Sequence, residues 1–138
     1  MVQRPTAGWR EQVDDEAAQI AAGALDLDDA FAAGLFPPEM LAQTDEVLTR
    51  FEQDVAELVS HRWEPATDTD IFAVIERTVK ALNVVNARFG GAAYETGERE
   101  QLCQYLEATL EDAGLDVDAF AGRHRMTRHD ITDQWRTW

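Results

Sequence analysis

Between Asp68 and Gly90 the chain reads "DTDIFAVIERTVKALNVVNARFG", and this stretch limits the fold more than any other. Ile71, Phe72, Ile75, Val79, Leu82, Val85 and Phe89 recur at spacings of three and four, the period of a helix, and spread over more than half of its circumference. A helix apolar over so wide an arc cannot rest on a surface, because it needs neighbours on several sides. The pattern therefore predicts a central helix over about 70–89, with Asp68 or Thr69 as its N-cap and Gly90-Gly91 as its stop.

The neighbours are legible too. From Pro38 to about His61, Met40, Val47, Leu48, Phe51, Val55 and Leu58 form one apolar stripe, and the proline pair Pro37-Pro38 suits a first helical turn. A further helix starts near Thr96 and ends at Gly114, with Leu102, Cys103, Leu106 and Leu110 inward. Residues 8–22 place Trp9, Val13, Ala17, Ile20 and Ala24 on one side. "DLDDAFAAGLF" reads as a short helix stopped by Gly34 and the prolines, and another short helix is expected near 117–121. No segment alternates with a two-residue period, so no sheet is expected. The expected fold class is all-α: a single-domain bundle of about five helices over residues 1–138, closed by an aromatic C-terminal tail.

Charge divides the chain unevenly. Residues 1–121 carry 8 basic and 25 acidic side chains, a net −17, whereas residues 122–138 carry 4 and 2, a net +2. Phosphate binding needs Lys and Arg on the contact face, so a body this acidic argues against nucleic acid and anionic membrane as partners. It favours a basic protein and speeds the encounter with one. Asp14, Asp15, Asp26, Asp28 and Asp29 of the first two segments are the candidate partner-binding residues. The tail "GRHRMTRHDITDQWRTW" is read as a clasp: Ile131, Trp135 and Trp138 lie four and three apart, one side of a last helical turn with Asp130 or Thr132 as cap. Arg123, Arg125 and Arg128 are expected to approach carboxylates of the body.

Three polar residues break the apolar pattern. Asn86 falls about 20° from Ile75 on the helical wheel, inside the arc of Ile71, Val79 and Leu82, and Asn83 lies at its border. Arg99 falls about 20° from Leu106 in the first turn of its helix, where a cation wants a carboxylate. These three are the candidates for a buried polar network or for a cleft.

Patterns that carry chemistry are missing. GxSxG, P-loop, GxGxxG and HExxH motifs do not occur, and Glu98 and Glu100, two apart on a helix, do not face each other. Asp26-x-Asp28 and Asp116-x-Asp118 lack the later positions of a calcium loop, and His124 and His129 miss the spacing of a helical zinc pair. The single cysteine, Cys103, excludes an internal disulfide and sits on an inward helix line, as an inert thiol would. Neither a catalytic set, a metal site nor a cofactor is expected. The N-terminus lacks the apolar stretch of a signal peptide, which makes the cytoplasm the expected location, and a homo-oligomer is compatible with the chain.

The segment "ETGEREQLCQYLEATLEDAGLD" together with the closing "DITDQWRTW" resembles small bacterial helical proteins with an E-x-x-E-R-E-x-L-C segment and a terminal I-T-x-x-W-R-x-W. The matching positions are Glu95, Glu98, Arg99, Glu100, Leu102 and Cys103, then Ile131, Thr132, Trp135, Arg136 and Trp138, within about the last third of the chain. That resemblance brings no activity with it. In size, acidity and helicity the chain is also similar to immunity proteins that neutralise basic nuclease toxins. The expected function is therefore a non-enzymatic, protein-binding module that inhibits a basic partner. The alternative is a small-ligand-binding or enzymatic domain with a cleft near Asn86 and Arg99.

Overall fold

The computed structural model describes residues 1–61 and 63–138. Six α-helices run α1 Pro5–Ala21, α2 Ala32–Leu35, α3 Pro38–Val59, α4 Asp68–Arg88, α5 Thr96–Asp112 and α6 Val117–Arg123. Two 3₁₀ turns, Leu27–Asp29 and Asp130–Thr132, complete the order, and there is no strand among the described residues. None of these helices is long and apolar enough to cross a membrane.

α4 is the central element. It pairs along its length with α3, and the closing 3₁₀ turn sits on another of its sides. Ile71, Val74, Ile75, Thr78, Val79, Leu82, Val85 and Asn86 are buried, so the wide apolar arc is covered as its pattern demands. Its cap differs from expectation. Thr67, one residue earlier, is the N-cap: its hydroxyl accepts from the Asp70 N–H while the Asp70 carboxylate accepts from the Thr67 N–H. That reciprocal pair satisfies two orphan donors at once, which neither Asp68 nor Thr69 could do with the residues three positions on. Asp68 is thereby released for a different task. At the other end Gly90 and Gly91 take φ of 86° and 77°, the left-handed turn that an L side chain resists.

α5 packs on α1, α3 and α6, and buries Leu102, Cys103, Tyr105, Leu106, Glu107 and Leu110. α1 is anchored most deeply in its first half. Thr6 and Trp9 are buried; Trp9 stacks on Phe36 at 5.3 Å between ring centres and donates its indole N–H to Gln101 at 2.6 Å. Val13 and Ile20 are half-buried, but Ala17 and Ala24 are exposed, so the apolar stripe expected along this segment stops short. A methyl side chain adds little apolar area, so beyond Val13 the helix is held by half-buried Ile20 and by Glu16, whose carboxylate accepts from the Ala32 N–H. The segment "DLDDAFAAGLF" forms two separate turns instead of one helix, because Ala30 takes an extended backbone between them.

The N-terminal segment is fixed by a polar knot. Arg4 donates to both Glu52 oxygens at 2.9 and 2.8 Å and also to Thr49, and the Tyr105 hydroxyl donates to the same carboxylate. The Glu52 hydrogen bond holds the Arg4 guanidinium protonated well above its ordinary value, and Arg4 in turn lowers Glu52. Burial, with Glu52 adding to it, pushes the Tyr105 phenol well above its ordinary value, so the phenol remains the donor.

The C-terminal tail is docked. Ile131 and Thr132 are fully buried, Trp138 is buried edge-on against Tyr94 at 5.5 Å, and half-buried Trp135 meets Phe72 at 6.2 Å. The expected helical turn is not what delivers them. Only Asp130–Thr132 is helical, as a 3₁₀ turn, and the chain then runs non-helically to Trp138. Asp130 acts one step earlier than a cap would, accepting from the Thr127 N–H and hydroxyl at 3.0 and 2.9 Å.

Candidate functional site

The three pattern-breaking residues do separate jobs. Asn86 is buried and spends its amide on its own loop: the oxygen accepts from the N–H groups of Ala93 and Tyr94 at 2.8 and 3.3 Å, and the nitrogen donates to the Gly91 carbonyl at 3.1 Å. It is a splint for the turn between α4 and α5. Asn83, one helical turn earlier, brackets the tail, donating to the Trp135 carbonyl at 2.7 Å and accepting from the Thr137 N–H at 3.1 Å. Those two bonds replace the internal pairing that a non-helical segment lacks.

Arg99 is half-buried, and it corrects an expectation: among the described residues no carboxylate lies within 4.0 Å of it. The acids near it are already engaged. Asp133 is held by Arg136 at 2.9 Å, and Glu107 sits against His129 and Arg128. Nor do Asn86 and Arg99 share a cleft, since Asn86 is used up within its loop. Arg99 instead faces a groove of about 430 Å³ between α5 and the C-terminal segment, lined also by Cys103, Glu107, His129, Asp133 and Arg136. The Cys103 sulfur accepts from the Thr132 hydroxyl at 3.3 Å and from Arg136 at 3.2 Å, and the Arg136 guanidinium lies 5.4 Å from the Trp138 ring centre.

Glu107 is the residue that sequence reasoning missed. It is only 2% exposed, and burial raises its carboxyl above the usual range against the pull of His129 and Arg128. A signal was present: Glu107 lies four residues after Cys103 and three before Leu110, both on the inward line.

The tail's arginines behave unequally. Arg123 forms a two-pronged pair with Asp68 at 2.8 Å on each oxygen, and His124 approaches the same carboxylate at 2.8 Å with its ring against Phe72 and Phe120. Arg128 reaches Glu107, Glu111 and Asp118. Arg125 makes no ion pair among the described residues; it occupies the left-handed position, φ 57°, of the turn after α6 and points outward. The Arg123 hydrogen bonds, with His124 behind them, pull Asp68 down to about 2. A depressed carboxylate contributes stability above its unfolded value of 3.8 and loses it as pH falls through about 2. Following the Asp68 side chain by NMR through an acid titration should give a midpoint near 2, and Arg123→Ala should raise it towards 3.8. An unchanged midpoint would assign the shift to something other than this pair.

The five candidate aspartates lie within residues 14–29 and are exposed. Asp14 and Asp15 are on the second half of α1, Asp26 caps the 3₁₀ turn that follows it and Asp28 and Asp29 lie within that turn; none of the five forms an ion pair among the described residues. Glu16 fastens the two parts together, since its carboxylate accepts from the Ala32 N–H at 2.6 Å and the Phe31 N–H at 3.4 Å. Within this lobe stand two bare hydrophobic side chains, Leu27 at 73% and Phe31 at 67% exposure.

Fold and site together define a class: an acidic, all-helical domain with a docked aromatic tail and a run of exposed carboxylates that are unpaired among the described residues. Comparison of the chain with protein-family models, with curated protein sequences and with solved structures gives no match.

Proposed function

We propose that this chain is a non-enzymatic protein-binding module, and that the lobe built from the second half of α1 and residues 24–31 is its docking face for a basic protein. The observation that carries the reading is the pairing of Leu27 and Phe31, both bare, with the unpaired Asp14, Asp15, Asp26, Asp28 and Asp29. An apolar centre within a polar rim is how specific interfaces are built. Here the rim carries a single sign, which steers an oppositely charged partner and sets its orientation. The arrangement suits an inhibitor that covers a basic active-site cleft with carboxylates, as immunity and antitoxin proteins do. The same reading places the protein in the cytoplasm and assigns it neither cofactor nor nucleic acid.

The quadruple variant Asp26→Ser, Asp28→Ser, Asp29→Ser, Phe31→Ala should keep the melting temperature of the parent, because none of these side chains is buried. Affinity capture with the parent chain should retain a basic protein that is released as salt rises, and the variant should lose it. A variant that retains the same protein at the same salt would remove the lobe from the interface.

A further inference from the structure

We propose that the groove between the last turns of α3 and the first turns of α4 takes an arginine-bearing segment of a basic protein, with the guanidinium on Trp63. The site shares no residue with the acidic lobe and does not depend on it. Trp63 stands in the turn between the two helices and is 89% exposed, whereas Trp9, Trp135 and Trp138 are all buried or half-buried. The bare indole lines a groove of about 690 Å³. Half-buried Leu58 and Ala66 and exposed Pro65 and Ala73 leave further apolar surface open in it. Tryptophan is the side chain that most often anchors an interface when it sits at the edge of such a hollow.

Charge selects the occupant. Among the described lining residues, Asp54, Glu57, Glu64 and Asp70 stand against one arginine, Arg77. Arg77 is already spent: it donates to one oxygen of Asp54 at 3.0 Å, and Arg50 donates to the other at 3.1 Å. Glu57 and Glu64 are exposed; among the described residues Glu57 meets only His61, at 3.6 Å, and Glu64 forms no ion pair. An anion is repelled by these carboxylates, and the α4 N-terminus that could draw one is capped by the Thr67–Asp70 box. A cation is favoured, and of the two basic side chains the guanidinium fits better. It is planar, more weakly hydrated than an ammonium, and can stack on an indole while its edge bonds a carboxylate. The groove is larger than one such side chain fills, so residues flanking the arginine enter with it. A second copy of this chain is disfavoured, because a net charge of −15 repels its like.

NMR titration of the full chain with acetyl-Gly-Arg-Gly-amide tests the assignment, read at the Trp63 indole N–H and at the Ala66 and Ala73 backbone amides. The same peptide with lysine, or with neutral citrulline, in place of arginine gives the two comparison arms. The arginine peptide should saturate these signals in the millimolar range. The lysine form should bind several-fold more weakly and the citrulline form at least about tenfold more weakly. Trp63→Ala, and Glu57→Gln with Glu64→Gln, should each weaken the arginine peptide by about fivefold or more at the Ala66 and Ala73 amides. Both variants should keep the parent's melting temperature, because these side chains are exposed. Asp26→Ser, Asp28→Ser and Asp29→Ser together should leave the titration unchanged, which separates this groove from the acidic lobe. The proposal is overturned if no signal moves at tens of millimolar, if either comparison peptide binds equally, or if Trp63→Ala binds as the parent does. Sedimentation in which the parent dimerises and Trp63→Ala does not would also overturn it, by giving the groove to a second copy.

Discussion

Removing residues 130–138 should lower the melting temperature by more than about 10 °C. The segment takes with it a fully buried Ile131, a buried Trp138 and a half-buried Trp135, for which apolar burial contributes on the order of 5 kcal/mol. That is comparable to the whole stability of a domain of ordinary size, roughly 5–15 kcal/mol. The loss also strips Asn83 of both its bonds and uncovers the face of Tyr94 on which Trp138 rests. Charge plays a smaller part. Arg125→Glu, at an outward position without an ion pair among the described residues, should shift stability by no more than about 0.5 kcal/mol. Thermal unfolding followed by circular dichroism separates the two variants. A truncated chain that melts with the parent would mean that the tryptophans rest on the body without contributing to it.

The second large effect should come from a single side chain. Asn86→Leu keeps the branched side-chain skeleton but leaves the N–H groups of Ala93 and Tyr94 without an acceptor in a buried stretch. Each orphaned donor costs about 1–3 kcal/mol, so a loss of about 2–5 kcal/mol is expected in urea unfolding. Amide exchange locates the cause: residues 93 and 94 should exchange far faster in the variant, while the middle of α3 stays protected. Uniform acceleration along the chain would point to a general repacking fault instead.

How much of this was legible depends on the range over which each residue finds its partner. The apolar stripes of α3, α4 and α5 were readable because a helix repeats its burial locally, and so were the stops at Gly90-Gly91 and Gly114. The α4 cap lies one residue before the expected Asp68, because Thr67 alone of the three has an acidic side chain three positions on, in Asp70, with which to form a reciprocal box. Ile131, Trp135 and Trp138 were correctly read as a docking set, yet their helical spacing was realised by a 3₁₀ turn followed by a non-helical segment held by Asn83. Asn86 and Arg99 were both visible as breaks in an apolar line. What each contacts was not, since the acids beside Arg99 are claimed by the tail, Asp133 by Arg136 and Glu107 by Arg128 and His129. The Arg4–Glu52–Tyr105 knot left no local trace at all, because its members are polar residues that become neighbours only when three segments meet.

The bonds that tie those segments together join distant parts of the chain: Arg4 to Glu52 across 48 residues, Asn83 to Trp135 across 52, and Trp9 to Gln101 across 92. Closing loops of that length costs entropy before any contact is gained. α3 and α4, consecutive and paired along their length, need only a short connection to meet. That difference predicts an order of assembly, in which the α3–α4 hairpin pairs first and the two ends of the molecule dock onto it later. Substitutions in the aromatic tail should then act mainly by hastening unfolding, with little change in the speed of folding. On that expectation the long-range ties govern how long the native state lasts, and the central hairpin how quickly it is reached.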